Sequence, residues 1–197
     1  MLPLLLVDDD RRERQALKRR AGSAFDVIAC ESCAEAMAFN VTVPSAIVIA
    51  LQMADGNGYE LAKLLQIRFR NASIALVGQH GSAHALALGA RFIPKPPTLA
   101  AIDDFLSHAV CMSLGLIRPL QDAIYSAARG WNLRPHETLV LGTSLKYERH
   151  DMVARELRLN ANTMKSRIKQ ILAKSNCETM LQARTRVLTS MSALPKH

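Results

Sequence analysis

The chain has 197 residues, of which 49% are hydrophobic, and its formal net charge is +8. This length suits one large domain or two small ones, and no apolar run approaches the roughly 20 residues that a membrane-spanning helix needs. The short apolar start ends in acids, unlike a signal peptide, and the 4 scattered cysteines do not make a disulfide framework. The composition therefore predicts a cytoplasmic protein without a membrane-spanning segment.

The excess positive charge is confined to the C-terminal part of the chain. Residues 1–117 hold 11 Lys/Arg and 11 Asp/Glu, whereas residues 118–197 hold 14 Lys/Arg against 6 Asp/Glu. A neutral part followed by a basic part predicts two domains, of which the second faces a polyanion such as nucleic acid. A solvated basic surface is the alternative interpretation.

Short apolar runs alternate with helical patterns over the first 110 residues. Helices are predicted at 12–20, 34–39 and 58–68, and strands at 3–7, 26–30, 46–50, 73–77 and 91–94. This alternation predicts an α/β fold with a doubly wound, parallel, five-stranded sheet. The functional crevice of such a sheet lies at the carboxyl ends of its strands, so the residues that follow each strand are the candidate site.

Charged residues follow the first and the fifth predicted strands. Asp8 and Asp9 come after the first strand, and paired carboxylates there are suitable oxygen ligands for Mg²⁺. Lys95 comes after the fifth strand, where an ammonium group can pair with a phosphate. With Ala50 ending the third strand, residues 2–112 resemble the CheY-like receiver domains of bacterial response regulators.

The resemblance implies a phosphorylation site that has lost its chemistry. In receivers, an acid pair binds Mg²⁺ and a central aspartate accepts phosphate. A Ser or Thr and a lysine then respond to the bound phosphate, and these two positions are called phosphate-reading. These positions fall on Asp8 and Asp9, on Ala50, on Gly78 and on Lys95. An alanine supplies neither a nucleophile nor a metal ligand. We therefore expect no aspartyl phosphorylation and no cofactor, with Mg²⁺ binding by Asp8 and Asp9 as the weaker alternative.

Other departures from the receiver pattern lie near the same crevice. Ala54 stands where receivers usually have proline, and the stretch 78–89 is several residues shorter than usual, so the fourth helix is expected to be stunted or absent. Asp55 begins an Asp-Gly-Asn-Gly turn sequence, which makes it a poor replacement for the missing aspartate.

Two pairs of potential metal ligands lie in the same part of the chain. Cys30 and Cys33 form a lone CxxC without a second pair, and His80 and His84 flank a Gly-Ser dipeptide. We expect buried thiols and exposed loop histidines, and a redox or metal role stays open.

Two helical patterns, at 98–112 and 119–129, are predicted at the end of the receiver-like region and after it. Gly130-Trp131-Asn132 ends the second of them. The predicted organisation is a pseudo-receiver domain at 1–112, a helical linker at 113–131 and an all-α helix-turn-helix domain at 132–197.

Two short helices joined by a tight turn are predicted near residue 160. Asn160 is a suitable N-cap for the second helix. This helix has one apolar face and one basic face, which is typical of a helix-turn-helix. Its apolar residues are Met164, Ile168, Ile171 and Leu172.

Residues 133–174 resemble, without a gap, the DNA-binding domain of LuxR/NarL/FixJ-type regulators. The matching motifs are Leu133-x-Pro135-x-Glu137, Val153-Ala154-x-x-Leu157 and Thr163-Met164-Lys165. The resemblance implies a recognition helix in the major groove, with Arg155 and Arg158 beside the DNA backbone, and a last helix that pairs two copies. The expected DNA contacts are Asn162, Thr163, Lys165, Ser166, Arg167, Lys169 and Lys174.

The sequence therefore predicts a transcription regulator of the two-component type that binds double-stranded DNA as a homodimer, independently of phosphorylation, and is not an enzyme. Its control would come from expression level, from a protein partner or from a small molecule at the pseudo-receiver. One alternative is an RNA-binding antiterminator with a degenerate receiver. The other is a protein-interaction module that sequesters a phosphorelay partner and does not bind DNA.

Overall fold

A computed structural model describes residues 1–147 and 149–192. The chain divides into two compact units, Met1–Ala109 and Val110–His197. The last five residues of the region predicted as a helix-turn-helix domain lie outside the described residues. In the part of the chain that is described, no helix is long and apolar enough to cross a membrane.

The first unit is built on five parallel strands. In chain order they are β1 (Leu2–Val7), β2 (Phe25–Cys30), β3 (Ala46–Ala50), β4 (Ser73–Gly78) and β5 (Arg91–Pro94). They lie in the order β2-β1-β3-β4-β5, and every neighbouring pair is parallel. The predicted doubly wound sheet is confirmed, and each predicted strand is found to within one residue at either end.

Five helices flank this sheet: α1 (Arg11–Ala21), α2 (Cys33–Ala38), α3 (Gly58–Arg68), α4 (Ser82–Ala87) and α5 (Leu99–Ser113). Asp10 begins α1 because its carboxylate accepts the backbone N–H of Arg12 at 2.7 Å, which satisfies a donor that the helix leaves free. Helix α4 is only 6 residues long, as the short stretch between β4 and β5 predicts.

The core of the first unit lies on β3. Ala46–Ala50 are all buried, which is expected for a central strand of a parallel sheet with helices on both faces. Ile47 and Ile49 belong to a hydrophobic cluster with Leu61 and Leu65 of α3. This packing fixes the end of β3 relative to the start of α3, and the candidate site lies at that junction.

The second unit is helical. It contains α6 (Arg118–Gly130), α7 (Pro135–Ser144), α8 (His150–Glu156), α9 (Ala161–Ser175) and α10 (Met180–Ser192). Helix α9 packs against α7, α8 and α10, and α6 packs against α10 and α7. The segment predicted as a linker is therefore part of the packing of this unit. The buried core includes Ile124, Leu141, Val153, Ile171 and Val187.

Helices α8 and α9 are joined by a tight turn of four residues, 157–160. The N–H of Leu159 donates to the carbonyl of Ala154 at 2.8 Å, which closes α8. Arg158 in this turn has a φ of +52°, in the left-handed region that favours glycine. The side chain of Asn160 then accepts the N–H of Thr163 at 2.8 Å and begins α9, as predicted.

Candidate functional site

The first candidate site lies at the carboxyl ends of β1, β3, β4 and β5. Val7 pairs with Ile49, and Ala50 pairs with Val77, so Asp8, Ala50 and Gly78 follow one another across the sheet edge. Lys95 joins them because its N–H donates to the carbonyl of Gly78 at 2.8 Å.

The carboxylate of Asp8 is buried, with 2% of the residue exposed. Its Oδ1 accepts the N–H of Asp10 at 2.9 Å, and its Oδ2 lies 3.4 Å from Nζ of Lys95. A buried carboxylate needs such partners because burial removes its hydration. Lys95 therefore neutralises Asp8 in a site whose central position, Ala50, carries no charge.

Asp9 is exposed and is held by a different contact. Its Oδ2 accepts the N–H of Ala54 at 2.8 Å. Ala54 lies in a short hairpin in which Gln52–Met53 pair with Gly56–Asn57. Within residues 1–147 and 149–192, no group of three or more His, Cys, Asp or Glu residues is arranged to hold a metal ion. Mg²⁺ binding would therefore rest on two carboxylates that already accept hydrogen bonds.

Leu51 fills the space around the phosphate-reading position. It is 9% exposed, and its N–H donates to the carbonyl of Val77 at 2.8 Å. A Cβ added to Gly78 would lie 2.8 Å from Cδ1 of Leu51, and one added to Gly81 would lie 2.4 Å from the same atom. A side chain at residue 78 therefore requires Leu51 to move. Leu51 is not among the site residues expected from the sequence, although an apolar residue after Ala50 with two glycines downstream is a usable signal.

The end of β3 also constrains the start of α3. A Cβ on Gly58 would lie 2.0 Å from the carbonyl oxygen of Ala50. Because this oxygen belongs to the backbone, no change of side-chain rotamer can relieve the contact. The N–H of Gly58 donates to the carbonyl of Leu51 at 3.0 Å. Glycine is required here by close approach of the two backbone segments.

Asp55 has a structural task in the same loop. Its carboxylate accepts the N–H of Cys33 at 3.0 Å and that of Ala34 at 3.1 Å, so it caps the start of α2 from a distant loop. These hydrogen bonds, first that from Cys33, lower the pKa of Asp55. A carboxylate engaged in this way is not placed to replace the missing phosphoacceptor.

The cysteines of the first unit are free thiols. Burial raises the pKa of Cys30 to about 11, and burial followed by the charge of Asp55 raises the pKa of Cys33. The ring of His84 stacks at a tilt on Tyr59, with centroids 4.7 Å apart. The described residues therefore do not bring these cysteines and histidines together as a metal site.

The second candidate site is the exposed face of α9. Asn162, Lys165, Ser166 and Lys169 are exposed, and Thr163 is half-buried beside the N-cap. On the opposite side of the helix, Met164 and Ile171 are buried. The structure thus brings five of the seven expected DNA contacts onto the start and outer face of one helix. Arg155 and Arg158 are also exposed, at the end of α8 and in the turn.

Arg167 and Lys174 are placed differently from the expectation. Arg167 is only 6% exposed, and its burial lowers the pKa of the guanidinium, an effect that the nearby Glu137 opposes. Nζ of Lys174 lies 2.6 Å from Oε2 of Glu137 and 3.0 Å from the carbonyl of Asn132. Glu137 is 1% exposed and needs positive partners. Positions 167, 171 and 174 follow helical spacing, so this side of α9 packs on α7.

Comparisons with known proteins support the assignment of the first unit. No protein-family model matches the sequence, and no curated protein matches it. The non-phosphorylated receiver domain of HemR from Leptospira biflexa aligns with a TM-score of 0.52 and 26% identity, over 60% of this chain and 98% of that one. The first unit therefore has a receiver fold, and this similarity supports a protein of the response-regulator type.

Two further solved structures are similar. A response regulator receiver protein from Pseudomonas putida aligns over 53% of this chain and 94% of its own, with 20% identity and a TM-score of 0.49. The response regulator StyR aligns over 96% of this chain and 100% of its own, with 23% identity and a TM-score of 0.46.

Proposed function

We propose that this protein is a cytoplasmic transcription regulator that binds double-stranded DNA through α9 and acts without aspartyl phosphorylation. The observation that carries the proposal is the outer face of α9, where two lysines, a serine and an asparagine are exposed together on a helix whose other face is packed. Helices α8 and α9 would form the helix-turn-helix, and α9 would enter the major groove.

The exposed side chains of α9 match the chemistry of base edges. Lys165 and Lys169 lie one helical turn apart and suit guanine O6 and N7, and the Asn162 amide suits adenine N6 and N7. Arg155 and Arg158 would contact phosphates, which position the protein without specifying a sequence. Arg167 and Lys174 do not enter this proposal, because they stabilise the packing of α9 against α7.

The composition of the first site supports the proposed independence from phosphorylation. An acyl phosphate needs a carboxylate nucleophile and a metal ion that offsets the phosphoryl charge. Residue 50 offers a methyl group, Asp8 is paired with Lys95, and Asp9 and Asp55 accept hydrogen bonds from backbone N–H groups of other loops. The proposed protein therefore has no catalytic role, and its receiver unit would receive a protein partner or a small molecule instead of phosphate.

Helix α10 supports a homodimer. Met180 and Val187 are buried in the unit, but Leu181 and Leu188 are 65% and 46% exposed. These two leucines lie seven residues apart, so they share one helix face. Exposed apolar residues in such a row are suited to pairing with a second copy. A two-fold dimer would bind two half-sites related by the same symmetry.

The proposal is tested by selecting DNA from a random duplex library with the purified chain. The selected duplex is then compared with a hairpin RNA of equal length by fluorescence anisotropy at several salt concentrations. We expect preference for the duplex, and replacing Lys165 and Lys169 by Gln should cost about 1–3 kcal/mol of binding free energy for each lost base contact and relax the sequence preference at those positions.

The matched control replaces Lys18 and Arg19 of α1, which are also exposed cations, by Gln and should leave DNA binding unchanged. Preference for the RNA hairpin would instead support the antiterminator. Absence of binding to either nucleic acid would support the phosphorelay-interaction module.

A further inference from the structure

A groove of about 750 Å³ runs along α9 between the start of α8 and the start of α10. Its lining includes Lys165, Ile168, Lys169 and Leu172 of α9, with His150 at the start of α8 and Glu178 just before α10. We propose that this groove binds a compact organic anion with an apolar body, such as an aryl carboxylate, and that the bound anion excludes DNA.

The floor of the groove is apolar. Ile168 and Leu172 lie one turn apart on α9 and are both half-buried, and Ala173 beside them is exposed. Water that covers these side chains is released when an apolar ligand displaces it, which favours binding. The volume lies within the range of about 300–1,000 Å³ that is usual for small-molecule sites. A ring or a short branched chain therefore fits the floor better than a hydrated inorganic ion.

The rim of the groove is basic. Lys165 and Lys169 are exposed on α9, and His150 is exposed at the start of α8. Glu178 is the acidic residue of the lining, and its backbone N–H donates to the Gln182 side chain at 2.8 Å. A carboxylate placed between the lysines gains charge-assisted hydrogen bonds, whereas a neutral analogue of the same shape does not. The lysines therefore favour a ligand with a negative charge, and the apolar floor favours a ligand with an apolar body.

The two lysines connect this groove to DNA binding. They border both the groove and the face of α9 that carries Asn162 and Ser166. A bound organic anion and DNA would therefore compete for the same two ammonium groups. This part of the proposal rests on the proposed function. It would give the regulator a chemical input located on α9 itself, rather than in the receiver unit.

The experiment titrates 1-naphthoate into the full chain by isothermal titration calorimetry, with 1-naphthamide and inorganic phosphate as probes that lack the charge or the apolar body. We expect naphthoate to bind at least about tenfold more tightly than either, a difference of about 1.4 kcal/mol. Glu178→Gln should raise naphthoate affinity about 2–5-fold, as expected for a single charge near the surface.

Leu172→Glu places a carboxylate on the floor and should abolish naphthoate binding, with circular dichroism as the check that the helices persist. Equal binding of naphthoate and naphthamide, or no response to Glu178→Gln and Leu172→Glu in folded variants, would overturn the site. At ten times its own dissociation constant, naphthoate should weaken DNA binding roughly tenfold.

An unchanged DNA affinity with naphthoate bound would overturn the exclusion of DNA. A chain that binds naphthoate but no nucleic acid would overturn the proposed function and leave the anion site standing. The two failures are therefore distinguishable in one set of titrations.

Discussion

Leu51 occupies the space next to Gly78 in which a serine or threonine side chain would lie. A Cβ built on Gly78 is 2.8 Å from Cδ1 of Leu51 and 3.1 Å from its Cβ. Leu51 follows Ala50 directly, so the residue at the end of β3 and the residue that fills the space beside Gly78 are neighbours in the chain. One packing contact, between Leu51 and Gly78, thus sets the space available at the carboxyl ends of β3 and β4.

This contact predicts coupled energetics for Leu51 and Gly78. Gly78→Thr should destabilise the fold by about 1–3 kcal/mol, because the added atoms overpack the space that Leu51 fills. Leu51→Ala leaves a cavity and should also be destabilising. The double variant should be more stable than the sum of the two predicts, by about 0.5–3 kcal/mol. Urea denaturation of the four proteins measures this coupling, and strict additivity would contradict the packing described.

An aspartate at residue 50 should create a metal site without creating a phosphorylation-dependent change in DNA affinity. Ala50→Asp puts a third carboxylate beside Asp8, and three carboxylates in one crevice repel each other until a divalent cation joins them. We expect Mg²⁺ to raise the melting temperature of Ala50→Asp and not that of the unchanged protein. Beryllofluoride should leave the DNA affinity of both proteins unaltered, since Leu51 still fills the reading position. A change in DNA affinity for the variant would show that a hydroxyl at residue 78 is dispensable.

Lys174 should act on stability rather than on DNA affinity. Lys174→Ala leaves the buried carboxylate of Glu137 with one positive partner fewer, which we expect to cost about 1–3 kcal/mol because Lys174 is itself partly exposed. Chemical denaturation measures this loss. Under conditions where the variant is folded, its salt dependence of DNA binding should equal that of the original chain. A slope reduced by about 1 would instead identify Lys174 as a phosphate contact.

The buried thiols predict a loss of stability at high pH. Burial raises the pKa of Cys30 from 9.0 to about 11 and that of Cys111 to about 12. In the unfolded chain both thiols ionise near pH 9, so the unfolded state releases protons first and is favoured as the pH rises. The free energy of unfolding should therefore decline between about pH 9 and pH 12, with the contribution of Cys30 complete near pH 11.

Replacing both cysteines by Ala should remove the part of this decline in unfolding free energy that the ionisation of their thiols causes.

Iodoacetamide at pH 8 provides an independent measurement of thiol burial. Mass spectrometry should show slow alkylation of Cys30 and Cys111 in the folded chain and fast alkylation in urea. Equal rates in both states would contradict the burial of these thiols.

Much of the fold is predictable from the sequence because its signals are local. Each sheet strand is an apolar run bounded by turn residues, and the start of α9 follows from Asn160 as an N-cap. The receiver positions are also readable, since each falls directly after a strand.

The remaining features depend on contacts between distant residues. Arg167 and Lys174 were expected to contact DNA, and only the packing of α9 on α7 shows that Arg167 is buried and that Nζ of Lys174 lies 2.6 Å from Oε2 of Glu137. Asp55 looked like a simple turn residue, but it caps α2, which is more than 20 residues earlier in the chain. The contact between Leu51 and Gly78 depends on the size of the space beside Gly78 in the folded chain, for which the sequence offers only an apolar residue after Ala50 and two glycines downstream.

Gly58 shows how unevenly mutation can act on such a protein. A Cβ at residue 58 would lie 2.0 Å from the carbonyl oxygen of Ala50, whereas the side chain of residue 50 takes no part in that contact. The glycine is therefore required by the close approach of two backbone segments, whichever side chain stands at residue 50. A replacement of Gly58 would force the end of β3 away from the start of α3, which changes the shape of the crevice without altering any of its charged groups.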